Sequence, residues 1–344
     1  MTGLGVLDNG GLAMAKSFSL TQIALSLVLS ASGTMVPQIA YADNGSSLGA
    51  ECTASGASLG TLAGTHLSAG ASSPMILMVP GSGPTNRDGN SPQGLNTNAY
   101  KLLAEALCAR SISSVRVDKR GMFGSAEAGD PNAVTVDLYA QDYRSWVDAL
   151  IQHTGNPCIY LLGHSEGAIM VSAAAIGRED VCGLILLAGP GQPFGDLLRT
   201  QLRANPANAS ILNQAFNAIE RLENGEYVDV SSLRPVLRGL FAEQVQDFLI
   251  SIMSVDPAEL ARIASKPTLI VQGERDLQVS QEDAERLAEF TGGELVLLPR
   301  VNHVLKEAPR NRSANLATYQ DPDLPVAEGV IAAIDQFVQD TQNG

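Results

Sequence analysis

Five residues, Gly163-His164-Ser165-Glu166-Gly167, constrain this chain more than any other stretch. They follow an apolar run, Cys158-Ile159-Tyr160-Leu161-Leu162, that reads as a buried strand. They precede residues 168–175, Ala-Ile-Met-Val-Ser-Ala-Ala-Ala, which read as a helix packed on a sheet. G-x-S-x-G between a strand and a helix is the signature of a nucleophile elbow. The turn must be tight enough to project the Ser165 hydroxyl above the sheet. Gly163 and Gly167 then stand where a Cβ would clash. The backbone N–H of Glu166 faces the point where a reacting carbonyl would develop negative charge.

The first 42 residues read as an address rather than as fold. Lys16 is followed by an apolar stretch over 18–28 and then by Ala40-Tyr41-Ala42. A basic residue, a short apolar core and an A-x-A end predict a secretory signal peptide over residues 1–42, cleaved after Ala42. Met14 suits initiation better than Met1, because it puts Lys16 near the start; residues 1–13 then read as a gene-model extension or as a long n-region. Gln22, Ser26 and Ser30 interrupt the run and make it a poor membrane span. The expected location is periplasmic or secreted, with no stable membrane insertion after cleavage.

Export bears on the cysteines. All four (Cys52, Cys108, Cys158 and Cys182) lie beyond residue 42, an even number for an oxidising compartment. Cys158 and Cys182 each open an apolar run, so neighbouring parallel strands would place them at one sheet edge and allow a bridge. Two small buried thiols are the alternative. Cys52 with Cys108 follows only by elimination. The spacing matches no zinc pattern. The formal net charge of −14 argues against nucleic-acid partners, since no basic cluster offsets it.

Along residues 43–192 and 266–344 strand-like and helix-like stretches alternate. Residues 52–67 read as an opening β-hairpin. Strands are expected at 75–79, 114–117, 158–162, 183–187, 268–271 and 294–298. Helical stripes lie at 99–110, 139–150, 168–175, 281–290 and 330–338. This rhythm predicts an α/β fold, a mostly parallel central sheet with helices on both faces. Residues 193–265 break it with amphipathic helices alone. An insertion of that kind at the C-terminal edge of the sheet would form a helical cap over the site.

A serine nucleophile needs a base, and the base needs an orienting acid. Of the four histidines, His303 follows the last strand and so sits at the same sheet edge as the elbow. His66 lies in the hairpin, His153 ends a helix, and His164 points away from its neighbour's hydroxyl. His303 is the expected general base. The acid should follow the 268–271 strand; Asp276 is the choice and Glu274 the runner-up. Catalytic residues are therefore Ser165, Asp276 and His303. The second oxyanion donor is expected from Pro80-Gly81-Ser82-Gly83-Pro84, through the N–H of Ser82 or Gly83, beside that of Glu166. Phe241, Phe248 and Met253 of the cap are the expected substrate-binding residues.

With these residues in view the chain resembles the α/β-hydrolase superfamily, in a bacterial exported carboxylesterase-like branch. The resemblance rests on 80–84 with Asn86-Arg87-Asp88-Gly89, on Asp118-Lys119-Arg120-Gly121 with Gly124-Ser125, and on the elbow. It extends through Leu187-Ala188-Gly189-Pro190-Gly191, Gln272-Gly273 with Asp276, and Asn302-His303-Val304-Leu305-Lys306. One departure is Pro80, where many relatives carry histidine before the oxyanion glycine. The resemblance implies hydrolysis of small carboxylic esters through an acyl-enzyme, with no cofactor and no metal. Thioesterase and serine aminopeptidase chemistry use the same triad and stay open, as does a non-catalytic binding protein on this scaffold. The cap's modest apolar content favours short- to medium-chain acyl groups. The sequence is silent on oligomeric state.

Overall fold

The computed structural model describes residues 52–343, so the expected signal peptide lies outside the described residues. Among the described residues eight strands form one sheet in the order β1-β2-β4-β3-β5-β6-β7-β8. They are β1 (Thr53–Leu59), β2 (Leu62–Ser68), β3 (Met75–Val79), β4 (Ser113–Val117), β5 (Ile159–His164), β6 (Val181–Leu187), β7 (Thr268–Gly273) and β8 (Glu294–Leu298). β1 and β2 form the opening hairpin, and β2 meets β4 antiparallel; all other pairings are parallel. This is the mostly parallel α/β sheet that the alternation predicted.

The inner strands are continuous apolar runs because helices cover both faces. Side chains alternate between two cores along each strand. Ile76, Met78, Tyr160 and Leu162 pack with α1 (Ala99–Cys108) and with the C-terminal helix Glu328–Asn343. Leu77 and Leu161 face the opposite core, which includes Trp146 and Val147 of α2 (Val136–Thr154) and Ile169 of α3 (Glu166–Ala175). α3 is buried along its whole length, which explains its run of small and aliphatic residues.

Between β6 and β7 the chain forms helices and 3-10 turns only. The helices are α4 (Phe194–Arg203), α5 (Leu212–Glu223), α6 (Pro235–Arg238), α7 (Gln246–Met253) and α8 (Pro257–Ala264). Three more follow: α9 (Gln281–Thr291), α10 (Arg312–Ala317) and α11 (Glu328–Asn343). Among the described residues no helix is long and apolar enough to cross a membrane.

Both disulfides join the expected cysteines. Cys158 and Cys182 link the starts of β5 and β6 across a Cα separation of 5.2 Å. Cys52 ties the beginning of β1 to Cys108 at the end of α1. The alternative of buried free thiols is excluded among the described residues.

Sheet register sets the site. Val79 at the end of β3 pairs with Gly163 of β5, so the chain leaves both strands level. His164 pairs with Leu187, and Leu187 with Val271. The loops after β3, β5, β7 and β8 therefore open at one edge of the sheet.

Candidate active site

The elbow has the strain its motif requires. Ser165 is held at φ 54° and ψ −125°, an unfavourable conformation for a side-chain-bearing residue. Its N–H donates to the Leu187 carbonyl at 2.9 Å, which fixes the turn to β6. A Cβ on Gly163 would lie 2.3 Å from the Gly167 carbonyl oxygen, and one on Gly167 would lie 2.6 Å from that of Val79. Only glycine permits this approach at both positions. α3 starts at Glu166, so its first N–H groups and positive dipole end lie next to Ser165.

His303 is buried in the loop after β8, and its Nδ1 meets Asp276 Oδ2 at 2.8 Å. Asp276 follows β7. Its Oδ1 accepts the N–H groups of Gln278 at 2.7 Å and Val279 at 3.0 Å. Burial opposes ionisation of Asp276, but the His303 charge and hydrogen bond, helped by these two amides, hold its carboxyl below the usual range. An ionised Asp276 accepts the Nδ1 proton, which leaves the His303 Nε2 lone pair free to act as a base. Glu274, the runner-up, is exposed.

The His303 loop is braced from both sides. Asn302 Nδ2 donates to Asn315 Oδ1 at 2.9 Å and to Thr318 Oγ1 at 2.7 Å. Buried Lys306 donates to the carbonyls of Thr97 and Asp321. A second brace runs through His164. Its Nε2 bonds to the His303 carbonyl at 2.7 Å, and its Nδ1 meets the Tyr100 hydroxyl at 2.7 Å. A carbonyl only accepts, so His164 carries its proton on Nε2 and accepts from Tyr100. The Tyr100 oxygen in turn accepts the Gly81 N–H at 3.1 Å. Burial, reinforced by the nearby His303 charge, pushes the His164 pKa down to about 3. A neutral relay thus connects the loop after β3 with the loop after β8. It supplies the hydrogen bonding that Pro80 cannot. Tyr100 had no signal in the sequence, since an α1 tyrosine at helical spacing reads as core.

A cavity of about 850 Å³ opens at this edge. Ser165, His303, Glu166 and Ser82 all border it. Gly83 does not; it borders a separate recess of about 30 Å³ beside Lys119 and Glu166. Of the two candidate donors on that loop, Ser82 is therefore the one at the cavity. Arg87 pairs with Asp118 at 2.6 Å, and Asp88 pairs with Arg116, bracing the loop against β4 and the residue after it.

The expected substrate contacts need correction. Phe241, Phe248 and Met253 do not line the cavity. All three are buried in the apolar core that joins α4–α8 to the sheet, and Phe248 packs edge-on against Tyr139. Amphipathic spacing marks a buried face, but the face here meets other protein rather than substrate. The apolar wall comes instead from Phe194, Leu197 and Leu202 of α4 and from Leu316 of α10.

The chain belongs to the α/β-hydrolase family, whose sequence profile it matches over residues 49–311. It is 28% identical over 240 residues to Esterase EstD of Thermotoga maritima, a match covering 67% of this chain and 54% of that protein. The chain thus spans about half the length of this relative. The solved structure of Est1E from Butyrivibrio proteoclasticus superposes with a TM-score of 0.51 at 16% identity, covering 85% of this chain and 99% of that one. The Pyrococcus furiosus esterase Pf2001 gives 0.53 at 15% identity, covering 91% and 98%. These two share the fold.

Proposed function

We propose that this protein is a serine hydrolase that cleaves carboxylic esters through an acyl-enzyme intermediate. The observation that carries the reading is the convergence of Ser165 and Asp276-bonded His303 on one cavity. Ser165 Oγ attacks the ester carbonyl while His303 Nε2 takes its proton. The N–H groups of Ser82 and Glu166 receive the oxyanion. His303 then returns the proton to the departing alkoxide. Water enters, His303 activates it, and the acid product leaves. The esterase relative supports the ester as substrate.

The 193–265 segment acts as the cap in this reading, since α4 contributes one wall. The cavity wall mixes Phe194, Leu197 and Leu202 with Thr85, Gln201 and Asn205. A bounded, partly polar space favours short- to medium-chain acyl groups, because an added methylene gains about 0.8 kcal/mol only where apolar surface buries it. The only carboxylate on the wall among the described residues is Glu166, and it is paired with Lys119. That leaves no anion to hold the amine of an aminopeptidase substrate. Two disulfides and the A-x-A leader support a periplasmic or secreted enzyme.

Measuring kcat/KM on p-nitrophenyl acetate, butyrate, octanoate and palmitate, with thioesters and aminoacyl anilides alongside, tests the reading. The expected maximum lies at acetate or butyrate, with little turnover of anilides. A maximum at palmitate, or a preference for anilides, would overturn the assigned substrate class.

A further inference from the structure

Lys119 stands two residues beyond β4, and its side chain is 3% exposed. Burying an ammonium group is costly unless it is hydrogen-bonded and paired. Its two partners are both donor-bearing parts of the site. Nζ donates to the Gly81 carbonyl at 2.8 Å and lies 3.6 Å from Glu166 Oε1. The first partner belongs to the peptide unit whose N–H is that of Ser82. The second is the side chain of the residue that follows Ser165. The other Glu166 oxygen, Oε2, is buried with no hydrogen-bond partner among the described residues.

The geometry has a directional consequence. In a trans peptide the C=O and the following N–H point opposite ways, and the described residues contain no cis bond. Holding the Gly81 oxygen on Lys119 therefore turns the Ser82 N–H away from Lys119. Gly81 lies against the nucleophile, since a Cβ built on it would be 3.1 Å from Ser165 Cβ. Its own N–H is held by Tyr100 on the other flank. Both polar groups of Gly81 are thus fixed by buried side chains. We propose that Lys119 is a positioning residue that aims the Ser82 N–H at the oxyanion and tethers it to the Glu166 arm of the same site. This rests on the serine-hydrolase reading given above. Lys119 touches no substrate; it acts through the Gly81–Ser82 peptide.

The test is Lys119→Met with p-nitrophenyl acetate, its rates expressed per site that a fluorophosphonate labels at completion. Losing an oxyanion donor outright costs about 10²–10³ in kcat. A donor left present but unaimed should cost roughly 10- to 100-fold in kcat, with KM within about threefold. The Ki of a trifluoromethyl ketone, whose hemiketal oxygen occupies the same site, should rise by the same factor as kcat/KM falls. A purely structural defect would lower the labelled fraction and leave the rate per site unchanged, and that result would overturn the proposal. Lys119→Met/Glu166→Gln removes the unpaired buried charge and keeps a foldable protein for the same readings. It should remain as slow as the single variant, because the Gly81 oxygen still lacks its donor. Recovery of wild-type kcat in the double variant would show that Lys119 only neutralises Glu166, and would overturn the proposal. Wild-type protein that neither labels at Ser165 nor turns over would remove the underlying hydrolase reading and the proposal with it. Wild-type protein that labels and turns over, beside an unimpaired Lys119→Met, would remove the proposal alone.

Discussion

The relay through His164 makes folding stability depend on pH in a way that one substitution should isolate. His164 is buried and accepts from Tyr100 on Nδ1, which a protonated ring could not do. Its pKa is pushed down to about 3 in the fold, chiefly by burial, against 6.5 for an unperturbed histidine. Between those two values the unfolded chain binds a proton that the folded chain refuses. Stability from this group is therefore present above about pH 6.5 and is lost as pH falls through the window toward 3. From pH 7 to pH 5 the loss is about 2 kcal/mol, approaching ~1.4 kcal/mol per pH unit at the lower end. His164→Gln keeps a donor for the His303 carbonyl but does not titrate. Urea unfolding of both proteins at pH 7, 6 and 5, disulfides intact, measures the difference. The variant should be the less stable protein at pH 7, and its deficit should shrink by about 2 kcal/mol on going to pH 5. Titrating groups remote from His164, including partly buried His66, are common to both proteins and cancel. A deficit that stays constant with pH would mean that His164 is not held neutral, and would refute the relay.

Other substitutions address the remaining parts. Asp276→Asn leaves a neutral partner for His303 Nδ1 and favours the wrong imidazole tautomer; kcat should fall about 10⁴-fold, measured on p-nitrophenyl acetate. Replacing Cys158 and Cys182 together by alanine opens a link of sequence separation 24 and should cost about 3 kcal/mol in urea unfolding. An unchanged midpoint would show that the bridge adds nothing to folding.

The sheet was legible in the sequence because strands covered on both faces must be apolar throughout, as 75–79 and 183–187 are. The order of strands then placed Ser165, Asp276 and His303 at one edge without any knowledge of their distances. What was not legible is pairing between buried polar groups. Tyr100 and Lys119 lie far from Gly81 in the chain, and only the fold brings them onto its two polar atoms. Lys119 did stand in a motif, Asp118-Lys119-Arg120-Gly121, but residue types alone do not reveal that its head is buried. Phe241, Phe248 and Met253 show the same limit from the apolar side. Helical spacing identifies a buried stripe and does not say whether protein or substrate covers it. α10 carries no signal in the sequence because Arg312–Ala317 is short and half polar, yet it forms part of the cavity wall.

The most direct test of the whole account is the site of covalent capture. Incubation with a fluorophosphonate, followed by proteolysis and mass spectrometry, should place one adduct on the peptide containing Ser165 and abolish ester hydrolysis in proportion. Ser165→Ala should neither label nor turn over. Hydrolysis that survives complete labelling, an adduct on another residue, or an active Ser165→Ala protein would contradict the assignment.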